Sequence, residues 1–331
     1  MADRAKGRVF VTQPVAESAL VRLRGMADVT LNTDGTRVIA KGELIAGVRG
    51  CDVLFSLLHD RIDREVIAAN PHLRAIASMS ITPDNIDVAE ATARKIPVTV
   101  VPALAVESTA DIHFALLLAV ARRLIEGDRA VRAGIFPGSQ SNHLLGAGVH
   151  GKTIGLVGGR GRIGQAVAAR ARGFSMRILY CGPRPMAQAD ETRLEASYVP
   201  LDRLLAESDF VSLHPSLTPT TRHMIGAPEI DLMKPTAFLI NTSRGAVVDE
   251  AALAAALAAR RIAGAGIDVF ENEPHVDAAL TALSNVVLTP HLGSAVLEVR
   301  TAMAETVVDN IAAILAGRQP PNIVNPEVLG S

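Results

Sequence analysis

A chain of 331 residues with 49% hydrophobic and 20% charged residues has the composition of a globular protein long enough for two cores, and its net charge of −1 gives no basis for binding nucleic acid. Its two cysteines, Cys51 and Cys181, sit in or beside apolar runs and read as buried free thiols rather than a disulfide or a metal site, which fits a cytoplasmic protein. The N-terminal MADRAKGRVFVTQ lacks the apolar core of a signal peptide and no apolar run is long enough to span a bilayer, so no membrane partner is expected.

The first stretch alternates strand and helix. GRVFVTQ reads as a strand, SALVRLRGM as a helix, ADVTLN as a strand, GELIAGVRG as a helix and DVLFSLL as a strand. The helix DREVIAAN, the strand LRAIASMS, a loop ITPDNIDVAEATARK and the strand VTVV follow, and Pro102 then marks a domain boundary because it cannot continue a sheet ladder. From Ser108 to Glu126 the chain predicts one helix, apolar on more than one face, which the second domain or another subunit must cover. A loop rich in Gly, Ser and Asn runs from Phe136 to His150.

Residues Thr153 to Pro185 read as strand, glycine turn, amphipathic helix and strand. Gly159, Gly161 and Gly164 stand in the order G-x-G-x-x-G at the mouth of the helix. In such a turn the glycines allow a tight bend, close approach of a pyrophosphate and close helix–strand packing, while the helix N-terminus offers free N–H groups to the anion. The motif alone is weakly specific, but the flanking strand and the apolar helix face of Ile163, Val167, Ala168 and Ala171 supply the context that dinucleotide binding needs.

Beyond Pro185 the alternation continues: helix LDRLLAES, strand DFVSLHP, loop TPTTRH, helix IGAPEIDLM, strand TAFLINTS, then helix EAALAAALAARRI with Asp249 and Glu250 at its positive end. The strands AGAGIDVF and NVVLTP complete a doubly wound parallel sheet, whose ligands bind beyond the strand C-termini. The last helix, VLEVRTAMAETVVDNIAAILAG, is expected to return to the first domain. The organisation predicted is α/β with two doubly wound parallel-sheet domains, a discontinuous flavodoxin-like substrate domain (1–102 and 298–331) and a Rossmann-type nucleotide domain (103–297), with a cleft between them.

Arg244, Asp268, Glu273 and His291 fall just after strands of the second half. Singly, each has an ordinary structural reading. Together they offer a cation, a carboxylate and an imidazole at the cofactor end of one sheet, the set that reduction of a 2-oxo acid requires.

At this point GLVGGRGRIGQAVA, NTSRGAVVDEAAL, GIDVFENEP and LTPHLGS, in this order and spacing, resemble the D-isomer-specific 2-hydroxyacid dehydrogenases over nearly the whole chain, and NADP-dependent glyoxylate/hydroxypyruvate reductases are nearest in pattern. STADIHFALLLAVARR resembles the family's dimer-forming helix, which implies a homodimer. The resemblance implies that Arg244 binds the substrate carboxylate and polarises the 2-oxo group, and that His291 donates a proton as hydride arrives from the nicotinamide. It also implies that Glu273, not Glu271, orients His291 and favours its charged form, while Asp268 lies by the nicotinamide amide. Cofactor contacts are implied for Thr109, Gly159, Gly161, Arg162, Ile163, Gly164, Gly182, Arg184, Pro215, Thr242, Ser243, Asp268 and Ser294, and substrate contacts for Ile81, Thr82, Arg244 and His291. Closure of the domains would exclude water and bring Ile81 and Thr82 over the nicotinamide. Alternatives on the same scaffold are oxidation of another small oxyanion, such as formate or phosphite, and a dinucleotide-sensing corepressor.

Four departures from the family pattern stand out. GGRGRIG is one residue longer than usual in the glycine loop. Gly182 stands where NAD-dependent relatives carry an Asp for the adenosine ribose, so nothing repels a 2′-phosphate and Arg184 can pair with it; NADP(H) is expected over NAD(H). Ser80, Ile81, Thr82 and Pro83 replace a glycine-rich substrate loop, and HPSLT at His214–Thr218 replaces the commoner HVPLT. His59 reads as a pocket or structural histidine, and Asp84 and Asn85 as loop-stabilising residues.

Overall fold

Short β-branched runs punctuated by amphipathic segments fold, in a computed structural model that describes residues 6–329, into parallel strands with helices on both faces. The elements of the first part are β1 (Gly7–Val11), α1 (Glu17–Met26), β2 (Ala27–Leu31), α2 (Lys41–Arg49), β3 (Val53–Ser56), α3 (Arg64–Ala68), β4 (Ala75–Ser78), α4 (Val88–Ala93) and β5 (Val98–Thr99). The five strands pair in the order β2-β1-β3-β4-β5, all parallel. Every residue of β3 and β4 is buried, as central strands covered on both faces must be. The segment expected as a loop after β4 contains α4. Asp87 caps it by accepting the Glu90 N–H at 2.9 Å, and this Asp-x-x-Glu start signal was readable in the sequence.

The second part runs α5 (Val106–Ala121), α6 (Leu124–Arg132), β6 (Thr153–Val157), α7 (Arg162–Gly173), β7 (Arg177–Cys181), α8 (Gln188–Leu194), β8 (Ala196–Tyr198), α9 (Leu201–Glu207), β9 (Phe210–Leu213), α10 (Ala227–Leu232), β10 (Phe238–Asn241), α11 (Glu250–Ala258), β11 (Gly264–Ile267), α12 (Ala278–Thr281) and β12 (Val286–Leu288). Its seven strands pair in parallel in the order β12-β11-β10-β9-β6-β7-β8. Chain connectivity reverses between β6 and β9, which makes a topological switch point beside the glycine loop. One face of the sheet packs on α5 and α7 through Phe114, Leu117, Val167 and Ala168, the other on α9, α10 and α11 through Leu204, Ile230, Leu253 and Leu257.

The single helix expected from Ser108 to Glu126 is two. α5 ends at Ala121, Arg123 takes a left-handed backbone (φ 53°), and α6 starts anew. The chain doubles back here: Ala147 N–H donates to the Ala121 carbonyl at 2.8 Å, and a Cβ at Gly146 would stand 2.4 Å from that same oxygen. The apolar faces of α5 are covered by its own sheet and α7, so the helix assigned to dimerisation is largely internal. α8, β8 and α12 are additions that the sequence reading passed over; they are short and add little apolar periodicity.

The chain divides into two compact units, residues through Leu104 with those from Val296 on, and Ala105–Ala295. α13 (Leu297–Leu315) lays Met303, Val307 and Ile311 against β1, β3 and α1 of the first unit. The tail after it follows β5: Val324 N–H donates to Val98 O at 2.8 Å and Val100 N–H to Asn322 O at 3.1 Å. Asn325, 2% exposed, fixes this edge by accepting Val98 N–H (2.8 Å) and donating to Thr92 Oγ1 (2.9 Å) and Ile96 O (3.0 Å). No helix among the described residues is long and apolar enough to cross a membrane. Asn325→Ala leaves three partners unmet, two of them buried, and is expected to lower unfolding free energy by about 2 kcal/mol in urea denaturation. A change below about 0.5 kcal/mol, within the range of neutral surface substitutions, would contradict this role.

Candidate active site

Strand register assembles the site. Cys181, Val157, Leu213, Asn241, Ile267 and Leu288 lie in one row across the larger sheet. The residues one step further along each strand are Gly182, Gly158, His214, Thr242, Asp268 and Thr289. All are at the C-terminal edge, so Gly182, the glycine loop, Thr242 and the Asp268–His291 region share one rim.

The glycine loop absorbs its extra residue in a turn closed by Gly161 N–H to Gly158 O at 3.0 Å, and the Gln165 side chain donates back to Arg160 O at 3.1 Å. The expectation that Gly159 makes the tight bend is corrected. Gly158 has the left-handed backbone (φ 78°), and a Cβ there would meet Pro215 N at 2.8 Å and His214 C at 2.9 Å. Gly159 is required by packing, because a Cβ there would stand 2.8 Å from Tyr180 Cβ, and Gly164 because its Cβ would stand 2.6 Å from Gly159 Cα, the close approach that seats α7 on β6. Gly161 is the N-cap; the first helical bond is Gln165 N–H to Gly161 O, so the N–H groups of Arg162, Ile163 and Gly164 precede the ladder and face the helix mouth. Arg162 is exposed and Ile163 partly so. The hydroxyl of Thr242, on the same rim, is buried without a partner among the described residues. Bare glycine backbone, a helix N-terminus and an unmet hydroxyl fit a phosphate-bearing dinucleotide.

Asp268, 1% exposed, organises the loop that carries His291. Its carboxylate accepts Thr289 Oγ1 (2.6 Å), Leu292 N–H (2.7 Å) and Gly293 N–H (2.9 Å), and its carbonyl accepts His291 N–H at 2.9 Å. Burial pushes the Asp268 carboxyl upward, against those hydrogen bonds and the nearby His291. From the other side, the hydroxyls of Ser108 and Thr109 on α5 donate to Gly293 O at 2.7 and 3.2 Å. Held this way, His291 sits in the left-handed region (φ 54°), an uncommon conformation for a residue with a Cβ. Its Nδ1 lies 2.8 Å from Glu273 Oε2, while Glu273 Oε1 accepts Phe270 N–H at 2.8 Å. Glu271 is engaged elsewhere, by Arg222 and by His223 Nε2 at 2.9 Å.

Arg244 follows β10 in a turn built by Asn241, whose Nδ2 donates to Arg244 O (3.1 Å) and whose Oδ1 accepts Ser243 N–H (3.1 Å) and Ser243 Oγ (2.9 Å). Arg244 Nη1 donates to Ser243 O at 2.8 Å. Gly245 explains why this turn abuts the Glu273 loop: a Cβ would fall 1.9 Å from the Phe270 carbonyl carbon, so backbone packs directly on backbone. The structure therefore brings the Arg244 turn, Glu273, Asp268 and His291 together in one unit. Ser294, next in the loop, is partly buried, as is Pro215; Arg184 is exposed between Pro183 and Pro185.

The sequence profile of the NAD binding domain of D-isomer specific 2-hydroxyacid dehydrogenases matches residues 114–293. A glyoxylate reductase of Korarchaeum cryptofilum is 50% identical over 98% of this chain and 97% of its own length. The chain belongs to the D-isomer specific 2-hydroxyacid dehydrogenases. Its larger unit is accordingly a nicotinamide-dinucleotide domain, and the chain an oxidoreductase. The glyoxylate reductase of Thermococcus litoralis is 47% identical, with 98% and 99% of the two chains covered. The structure of an NADPH-dependent glyoxylate/hydroxypyruvate reductase from Sinorhizobium meliloti, in complex with NADP and malonate, has a TM-score of 0.81 at 32% identity, covering 97% of each chain.

In this dehydrogenase the residues of the first unit that were expected at substrate form their own network. Ser80 Oγ donates to Thr82 O and Thr82 Oγ1 to Asp84, each at 2.7 Å, which leaves Ile81 37% exposed at the turn. Asn85 donates to Leu57 O (3.0 Å) and Asp60 O (2.7 Å), holding the segment that contains His59.

One buried cluster carried no motif. Ser212 Oγ on β9 lies 2.6 Å from His214 Nε2 and 3.4 and 3.3 Å from the two ring nitrogens of His113 on α5. His113 stands 99 positions from Ser212 and cannot be paired with it or with His214 from sequence; the alternation of β9 and the cross-sheet path of α5 bring them together. Burial pushes both imidazoles down, His113 well below its usual value of 6.5 with the neighbouring His214 adding to the effect, and His214 to about 3. His214 keeps some exposed surface whereas His113 is fully enclosed, so His113 is the firmer of the two. Folded-state values below the unfolded one mean that the unfolded chain binds more protons in acid. The stability that these neutral rings contribute is fully present above about pH 6.5 and is lost as pH falls from there, by up to about 1.4 kcal/mol per group per pH unit. Urea unfolding at about pH 7.5 and about pH 5.5 should show a marked loss that His113→Gln reduces; an equal loss in both proteins would contradict it.

Proposed function

We propose that the chain reduces a short 2-oxo acid to the D-2-hydroxy acid with NADPH, acting as a glyoxylate/hydroxypyruvate-type reductase. The observation that carries this reading is the 2.8 Å contact of Glu273 with His291 Nδ1, in a loop fixed by Asp268 beside the Arg244 turn. When bound, the nicotinamide supplies the hydride. With Nδ1 on Glu273, the other ring nitrogen of His291 is the one that gives a proton to the substrate oxygen, and the carboxylate stabilises the charged ring before transfer. Arg244 offers a planar fork of donors to the substrate carboxylate and the 2-oxo oxygen. Ile81 and Thr82 are assigned to substrate as well.

NADPH over NADH is supported by Gly182, which presents no carboxylate to a 2′-phosphate, and by the exposed Arg184 two residues on. A Cβ at Gly182 meets nothing within 4 Å, so an aspartate fits there without disturbing the loop. A homodimer is assigned to α6 and the arm after it rather than to α5: α6 buries none of its residues, and Phe136 and Leu145 are 76% and 64% exposed. Light scattering at twice the 34.8 kDa chain mass is the expected result, and a monomer refutes it.

A panel of 2-oxo acids of increasing size, with formate and phosphite included, tests the activity with both cofactors. Glyoxylate and hydroxypyruvate should turn over with higher kcat/KM for NADPH, and Gly182→Asp should shift the preference toward NADH by about tenfold or more, the scale of one repelled charge. Oxidation of formate or phosphite without reduction of any 2-oxo acid would overturn the reading.

A further inference from the structure

The chain has two tyrosines and no tryptophan, and both tyrosines stand at the segment that follows β7. Tyr198, the last residue of β8, donates its hydroxyl to Gly182 O at 2.6 Å. The Tyr180 hydroxyl, from β7, accepts Met186 N–H at 2.7 Å and donates to Glu191 of α8. Burial, with Glu191 adding to it, pushes that hydroxyl up to about 12, so it remains a donor at neutral pH. The two rings lie 5.3 Å apart at 58°. The five residues Gly182–Met186 are thus pinned at both ends by side chains that pack on each other.

Between the pins the sequence is Pro183-Arg184-Pro185. Pro183 fixes its own φ, and Pro185 restricts Arg184 to extended backbone. Arg184 is therefore an exposed cation on a short segment with few conformations available, at the rim position next to the glycine loop: Gly158 N–H donates to Cys181 O at 2.9 Å. A flexible arginine would lose side-chain and loop entropy on gripping a phosphate, and a pre-set backbone reduces that cost.

Resting on the NADPH reading above, we propose that Tyr198 is a specificity-determining positioning residue, its hydroxyl on the Gly182 carbonyl holding the Gly182–Pro185 segment so that Arg184 meets the 2′-phosphate of NADPH. Tyr198 itself touches neither phosphate nor substrate. Its contribution should therefore appear in the affinity for one cofactor and not the other.

Direct titration of NADPH and NADH against wild type, Tyr198→Phe, Arg184→Ala and the double variant tests this without reference to turnover. Tyr198→Phe should weaken NADPH about 3- to 10-fold, the scale of one neutral hydrogen bond, and leave NADH unchanged. The double variant should bind NADPH no worse than Arg184→Ala, because the tyrosine acts through the arginine. A wild-type NADPH/NADH ratio in Tyr198→Phe, equal weakening of both cofactors, or additive losses in the double variant would each overturn the proposal while leaving the cofactor reading intact. Tighter binding of NADH than NADPH by the wild type would overturn the cofactor reading itself, and with it this role for Tyr198.

Discussion

The buried carboxylate of Asp268 is the constraint on which the site depends. It stands just past the C-terminal end of β11 and uses both oxygens on the loop that carries His291. Nothing else among the described contacts spans that loop so fully: Thr289, Leu292 and Gly293 all donate to it, and Ser108 and Thr109 secure Gly293 from the opposite side. A histidine in a left-handed conformation persists only when its surroundings over-determine it. The same tethers aim the ring at Glu273, so one buried acid sets the geometry of the His291–Glu273 pair.

The cofactor side is arranged by a different rule, the absence of side chains. Gly158, Gly164 and Gly245 are each required by a close backbone approach, two of them under 2.7 Å, and Gly159 by the side chains of Tyr180 and Leu156. Gly164 on Gly159 seats α7, Gly158 fits the bend against His214 and Pro215, and Gly245 docks the Arg244 turn on the Glu273 loop. Parallel strands in register do the rest, since equal strand ends place Gly182, Gly158, Thr242 and Asp268 along one rim.

Much of this was legible before any coordinates. Alternating runs predicted two parallel sheets, and four short motifs identified the family and nominated Arg244, Glu273 and His291. Local signals in the sequence mislead where two of them compete. Asp87 and Glu90 announce α4 within a segment that otherwise reads as a loop. The apolar run from Ser108 onward reads through Arg123, and only the return of Gly146 and Ala147 onto the end of α5 shows why the helix stops. Which of two adjacent glycines makes the bend depends on His214 and Pro215, more than fifty residues away. The His113–Ser212–His214 cluster and the clasp of Asn325 on β5 were illegible for the same reason: each depends on segments brought together by the sheet, and neither leaves a pattern in the local sequence.

The claim at the centre is that His291, held by Asp268 and Glu273, is the proton donor of a 2-oxo acid reduction. Rapid-mixing measurement of NADPH oxidation by glyoxylate in wild type and His291→Asn tests it most directly, with cofactor affinity titrated in parallel. The expected result is a loss of about 10²- to 10⁴-fold in the rate of the chemical step with unchanged NADPH affinity, the usual size of general acid catalysis. A near-wild-type rate in His291→Asn would contradict it.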